Sequence, residues 1–153
     1  MCLTAGCSSV KVNDISPILS GFRCDFSIEN SKLSGEMEVE SNGILTFSFQ
    51  GDDIINGLKL QVKNEVIIVD VNGLTESYSR AEIPQASPAV YLFDALISAK
   101  QIKPQVNDSR TVIFGNSPSG EFELSIGPTG FIENILLDKN DIKIIFSNHS
   151  TIN

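Results

Sequence analysis

Hydrophobic and polar positions alternate with a period of two over most of the chain. Phe22, Cys24, Phe26 and Ile28 face one way, and Arg23, Asp25, Ser27 and Glu29 the other. Leu33, Gly35, Met37 and Val39 oppose Ser34, Glu36, Glu38 and Glu40. Leu45, Phe47 and Phe49 oppose Ile44, Thr46, Ser48 and Gln50, and Leu58, Leu60 and Val62 oppose Lys59, Gln61 and Lys63. Such runs predict antiparallel strands with one covered face. Asn30-Ser31, Ser41-Asn42-Gly43, Asn64-Glu65 and Asn72-Gly73 supply the turns, because these residues tolerate positive φ or bond their own backbone. Val66–Val71 is apolar apart from Asp70 and is expected to sit centrally; Leu74–Arg80 is a weaker strand, and Gly51–Asn56 a loop. Further strands are expected at Arg110–Phe114, Glu121–Ile126, Phe131–Asp138 and Asp141–Ser147. Gly115–Gly120, Gly127–Gly130 and Lys139-Asn140 form the turns between them.

One segment has a different period. Val90, Phe93, Leu96 and Ile97 recur at helical spacing behind Ser87-Pro88, an N-cap followed by proline in the first turn. The spacing predicts a helix over 88–103, with Lys100 and Lys103 at its C-terminal dipole and Pro104 as its stop. A further helical turn is expected at Asp14–Gly21. The whole reads as about ten strands and one good helix.

The 153 residues amount to one domain. Twenty-nine Ile and Val against six Ala favour strands over helices. Eleven Lys and Arg against 19 Asp and Glu give a net charge of −8, which disfavours nucleic acid and anionic headgroups as partners. No apolar run approaches the roughly 20 residues of a membrane-spanning helix.

Leu3-Thr4-Ala5-Gly6-Cys7 resembles a bacterial lipobox, with Ser8 and Ser9 as the start of a polar tether. The resemblance implies lipidation of Cys7, removal of Cys2, and a cell-membrane address on the extracytoplasmic face. A signal also needs a basic start and an apolar stretch of about 7–15 residues. Only six residues precede Cys7, so this reading places the true start upstream of Met1; the alternative is an ordinary terminus with two thiols. Residues 1–13 are then a signal remnant and tether, and 14–153 a single domain. Cys24 is left without a disulfide partner.

About ten antiparallel strands in one chain must curl, split or close, and one mid-chain helix can plug the hollow of a curved sheet. The expected class is therefore mainly β (α+β): a half-barrel of about ten strands with a central helix in its hollow. A lipobox, meander strands, a Pro-started central helix and closing hairpins resemble the LolA/LolB and LppX/LprG superfamily. Gly127-Pro128-Thr129-Gly130-Phe131-Ile132-Glu133-Asn134-Ile135, leading to Ile144-Ile145-Phe146-Ser147-Asn148, is similar to the end of LolA-like lipoproteins of Gram-positive bacteria. The resemblance implies binding of an acyl chain or a lipidated partner in an apolar groove. The expected N-terminal helix is shorter than that family's, and a Gram-positive origin excludes delivery to an outer membrane. Phe22, Phe26, Phe47, Phe49, Val90, Phe93, Leu96 and Ile97 are the expected groove residues. The same residues would serve a packed core equally well.

Chemistry-bearing motifs are sparse. His149, the only histidine, is expected at a frayed end without metal-ligand neighbours. Cys24 alternates with Phe22 and Phe26, where a buried thiol is inert. Glu36, Glu38 and Glu40 read as a solvated strand face. Gly115–Gly120 lacks the strand–turn–helix context of a serine elbow. The expectation is a monomeric, non-catalytic, lipid-anchored envelope protein without cofactor or metal. The alternative is an envelope interaction or sensor module with a packed core and no small ligand.

Overall fold

The structure, a computed structural model, describes residues 21–52, 55–83, 87–107, 110–137 and 142–152. The expected turn at Asp14–Gly21 lies outside the described residues except for Gly21. Eleven strands form one antiparallel sheet: β1 (Phe22–Ile28), β2 (Ser34–Val39), β3 (Leu45–Gln50), β4 (Leu58–Lys63), β5 (Val66–Val71), β6 (Leu74–Ser79), β7 (Gln105–Asn107), β8 (Arg110–Ser117), β9 (Gly120–Ile126), β10 (Ile132–Leu137) and β11 (Ile142–Thr151). Their spatial order is β6-β5-β4-β3-β2-β1-β11-β10-β9-β8-β7. Two meanders thus meet where β1 pairs with β11, and the outermost strands, β6 and β7, are joined by a 3-10 turn (Arg80–Glu82) and helix α1 (Pro88–Ala99).

Nine of the twelve α1 residues are buried, on all sides of the helix rather than along one stripe. It packs against β4, β8 and β9, so it occupies the hollow of the sheet. Asp94 accounts for the closure. Its carboxylate, 4% exposed, pairs with Arg80, which follows β6, and accepts a hydrogen bond from Ser119 Oγ at 2.6 Å, in the β8–β9 turn. In a flat sheet β6 and β8 would lie nine strand spacings apart, about 43 Å. Both flanks reach one carboxylate, so the sheet curls around the helix. Arg80 also lies over the Phe93 ring at 5.6 Å, and Tyr91 donates to the Glu121 carbonyl at 2.5 Å.

Several elements differ from the sequence expectation. The helix ends at Ala99, with Gln101 and Ile102 amides closing turns onto Ser98 and Ala99; Pro104 disfavours helix at the residue before it. Ile102 then fills the space over Gly115, where a Cβ would meet its Cδ1 at 2.4 Å. Ser87 occupies the N-cap without a side-chain bond, its carbonyl closing the first turn to Tyr91. β8 continues to Ser117, leaving Pro118-Ser119 as its turn, and the three-residue β7 carried too little pattern to be foreseen. β5 is not central but next to the edge strand β6. Its β-branched residues suit either face of a strand, which hides an alternation in which Ile67 is buried on the concave face while Val66, on the other face, is exposed. Asp70 accepts from the Gly73 amide and the Thr75 hydroxyl; these bonds lower its pKa and shape the Asn72-Gly73 turn.

Strand register sorts the concave face into rows. Phe22, Val39, Leu45, Val62 and Ile67 form one row, every member at most 5% exposed. Cys24, Met37, Phe47, Leu60 and Val69 form the next. The row beyond contains Phe26, Gly35 and Phe49. Gly35 has no room for a side chain, since a Cβ would stand 2.0 Å from the Ser48 carbonyl oxygen and 3.0 Å from Phe49 Cα. Phe26 and Phe49 pack edge to face at 5.5 Å in the space it leaves.

Two stability changes follow. Gly35→Ala, which must push β2 from β3, is expected to cost about 2 kcal/mol in urea unfolding. Asp94→Ala, which leaves Arg80 largely buried and unpaired, is expected to cost about 3 kcal/mol. An Asp94→Ala protein as stable as the parent would show that the two flanks close without this contact.

Candidate functional site

Among the described residues the apolar concave face is incompletely covered. An apolar cavity of about 130 Å³ lies between the start of α1 and the sheet, lined by Phe26, Ile28, Leu33, Phe47, Phe49, Leu60, Pro88, Ala89 and Ile144, with Ser87 at its rim. Its floor is a cluster of three rings: Phe26 meets Phe47 and Phe49 edge to face at 5.5 Å, and Phe47 stacks with Phe49 at 6.1 Å. Pro88 brings the helix to this point, its fixed φ suiting the first turn. Phe49 is only half-buried. On the same face, Leu58, Val71 and Leu74 are cross-strand neighbours. Exposure rises along them to 38% at Val71 and 79% at Leu74, so apolar surface extends to the β5–β6 hairpin.

The expected groove residues separate into two groups. Phe26, Phe47 and Phe49 converge on the cavity. Phe22 packs at another part of the core, edge-on to Phe131 at 5.9 Å; Phe93 and Leu96 are core residues at 4% exposure, and Ile97 is half-buried near Gly43. Val90 lines a different cavity of about 330 Å³, half polar and half apolar, with Glu65, Arg80, Ile83, Asp94 and Ser119. Cys7 lies outside the described residues. Ile28, Leu33, Leu60, Pro88, Ala89 and Ile144 had no place in the expected groove, although the alternating pattern already put Ile28, Leu33 and Leu60 on the buried side. Asp94 was also missed; its signal was being the only charged residue between Glu82 and Lys100.

Solved structures resemble this architecture. An uncharacterized conserved protein from Thermus thermophilus superposes with a TM-score of 0.55 at 7% identity, over 90% of this chain and 82% of that one. A LolA superfamily protein from Nitrosomonas europaea gives 0.45 at 9% identity, over 88% and 87%. Lipoprotein LppX from Mycobacterium tuberculosis gives 0.45 at 15% identity, over 88% and 89%. The likeness is one of fold. No family model and no curated protein sequence matches the chain.

The groups considered for chemistry lie apart from this cavity. Burial, with lesser contributions from Asp25 and Glu36, pushes the Cys24 thiol up to about 12, so it is protonated at neutral pH. Among the described residues no group of three or more His, Cys, Asp or Glu side chains is placed to hold a metal ion. Arg23 pairs with Glu36 at 3.5 Å and Glu38 at 2.7 Å, and Glu40 accepts from Asn42, so the glutamate strand is a surface network.

His149 is not at a frayed end. β11 runs on to Thr151, and Asn148, at φ 52°, forms a bulge opposite Cys24 that brings His149 against Phe131, stacked at 4.9 Å, and within 6.2 Å of Phe22. Asn148 Nδ2 donates to Asp25 at 2.7 Å. Burial lowers the His149 pKa, opposed by its hydrogen bond to the Ile132 backbone and by Glu133.

A folded pKa below the unfolded value means the neutral ring supports the fold. That contribution is complete above the unfolded value of about 6.5 and is lost as pH falls through the lower folded value. The urea midpoint is therefore expected to fall between pH 7.5 and 5, above the range where carboxylates titrate, and to fall less in His149→Gln. An equal fall in both proteins would remove His149 as the cause.

Proposed function

We propose that the chain is a non-catalytic, lipid-anchored protein of the cell envelope whose concave sheet face receives an acyl chain of a lipid or lipidated partner. The supporting observation is the apolar cavity under the start of α1, followed on the same face by half-buried Leu58 and exposed Val71 and Leu74. Burying an acyl chain there gains about 0.8 kcal/mol per methylene. An apolar cavity of about 150 Å³ holds one benzene, so about 130 Å³ takes the end of a single chain. The remainder would lie along the exposed apolar row. In this reading Cys7 carries the anchor on the extracytoplasmic face, residues 14–153 form one monomeric LolA- or LppX-like half-barrel, and the source is a Gram-positive bacterium. The buried, protonated Cys24 thiol supports a role without catalysis.

The cavity's small size and the close packing of Phe22, Phe93 and Leu96 favour the second reading, an interaction module with a filled core. Titration with cis-parinaric acid, together with native mass spectrometry of protein from a lipid-containing host, separates the two. Saturable binding, weakened about tenfold or more by Phe49→Asp with the β circular-dichroism spectrum retained, is expected for the groove. A clean apo mass with no fluorescence enhancement would leave the packed module.

A further inference from the structure

The outer face of the sheet, away from the groove, carries a third depression, of about 400 Å³, between β8, β9 and β10, lined by Phe114, Asn116, Glu121, Glu123 and Leu136 together with Gly115 and Phe122. Register places Phe114 directly opposite Glu123, Glu123 opposite Leu136, and Asn116 opposite Glu121. The two glutamates therefore stand two residues apart on one strand, and Phe114 and Asn116 stand beside them on the next. Phe114 is 51% exposed, the only aromatic among the large exposed apolar side chains of the described residues.

Its outward position is fixed by the fold. A one-residue slip that buried Phe114 would turn Gly115 outward. The space over Gly115 is filled on the inner side by Ile102 and Phe122, whose atoms lie 2.4 and 2.6 Å from where its Cβ would stand. The polar groups around the ring are unused: among the described residues neither Glu121 nor Glu123 forms an ion pair, and no side-chain hydrogen bond engages Asn116. Lys143, opposite Leu136 on β11, is held by Glu29 at 3.2 Å.

We infer that this face docks an arginine-bearing segment of a partner protein, one guanidinium stacking on Phe114 while its donors meet Glu123 or Glu121. Guanidinium is the cation suited to this arrangement, since it lies flat on an aromatic ring and presents a planar fork to a carboxylate, whereas lysine offers only a point charge. The net charge of −8 draws such a segment in from a distance, and Phe114 gives it a position.

Labelled nona-arginine and nona-lysine peptides, titrated by anisotropy against the full 153-residue chain at low and at physiological salt, test the assignment. Nona-arginine is expected to bind about two- to fivefold more tightly. Its amide-shift changes should concentrate on β8–β10, and Phe114→Ser should erase the preference while Leu74→Ser, on the other face, leaves it intact. Glu121→Gln with Glu123→Gln should weaken both peptides. Equal affinities, or shifts spread over the acidic surface, overturn the proposal. So does Phe114-dependent self-association in sedimentation, which would make a second copy the occupant, or Phe114-dependent flotation with phosphatidylcholine vesicles, which would make it a membrane.

Discussion

Asp94 is nearly shut off from water on an otherwise apolar helix, and Arg80 and Ser119 reach it from opposite flanks of the sheet. A carboxylate in that position is tolerable only when hydrogen-bonded and paired, so the sequence that buries it also obliges the flanks to come together. The contact sets the curl of the sheet and holds the first half of α1 inside it. Tyr91, one turn from Asp94, bonds the Glu121 carbonyl and ties the same stretch of helix to β9.

The one α-helix among the described residues, twelve residues and about 18 Å long, leaves part of the concave surface of the eleven-strand sheet open to solvent. The rows nearest the helix are closed, and those toward the β5–β6 hairpin open to solvent, with Val71 and Leu74 exposed. A protein using its sheet only as a core would gain by shortening or charging these positions. Here the uncovered row is continuous in register and apolar on one face, and it begins beside a cavity floored by three phenylalanine rings.

Strands and helix were legible because period-two and helical stripes are local properties, and Pro88 and Asn72-Gly73 mark their boundaries by backbone chemistry. The lateral order of strands is set by non-local pairing, and for that reason Val66–Val71, read as central from its continuous apolarity, lies beside the edge. Of the residues that line the cavity, Phe26, Phe47 and Phe49 were expected together, and alternation put Ile28, Leu33 and Leu60 on the same apolar side. Phe22 carries the same alternation, and Phe93 and Leu96 the helical period, yet all three lie in the closed core, because periodicity reports which face a residue occupies and not what covers it. His149 was misplaced because a bulge at Asn148 changes the phase of β11, and one asparagine is too weak a mark to reveal that.

The sheet is stitched at its middle by its own first and last described strands, with Phe22 opposite Thr151 and Ile28 opposite Ile144. Each meander pairs between neighbours, but the seam joins segments separated by nearly the whole domain, the slowest kind of contact to find. During synthesis, the six leading strands must therefore wait, with the β11-facing edge of β1 unpaired, until β11 emerges. Closure of the sheet is deferred to the last strand of the domain, a timing written into strand order rather than into any single side chain.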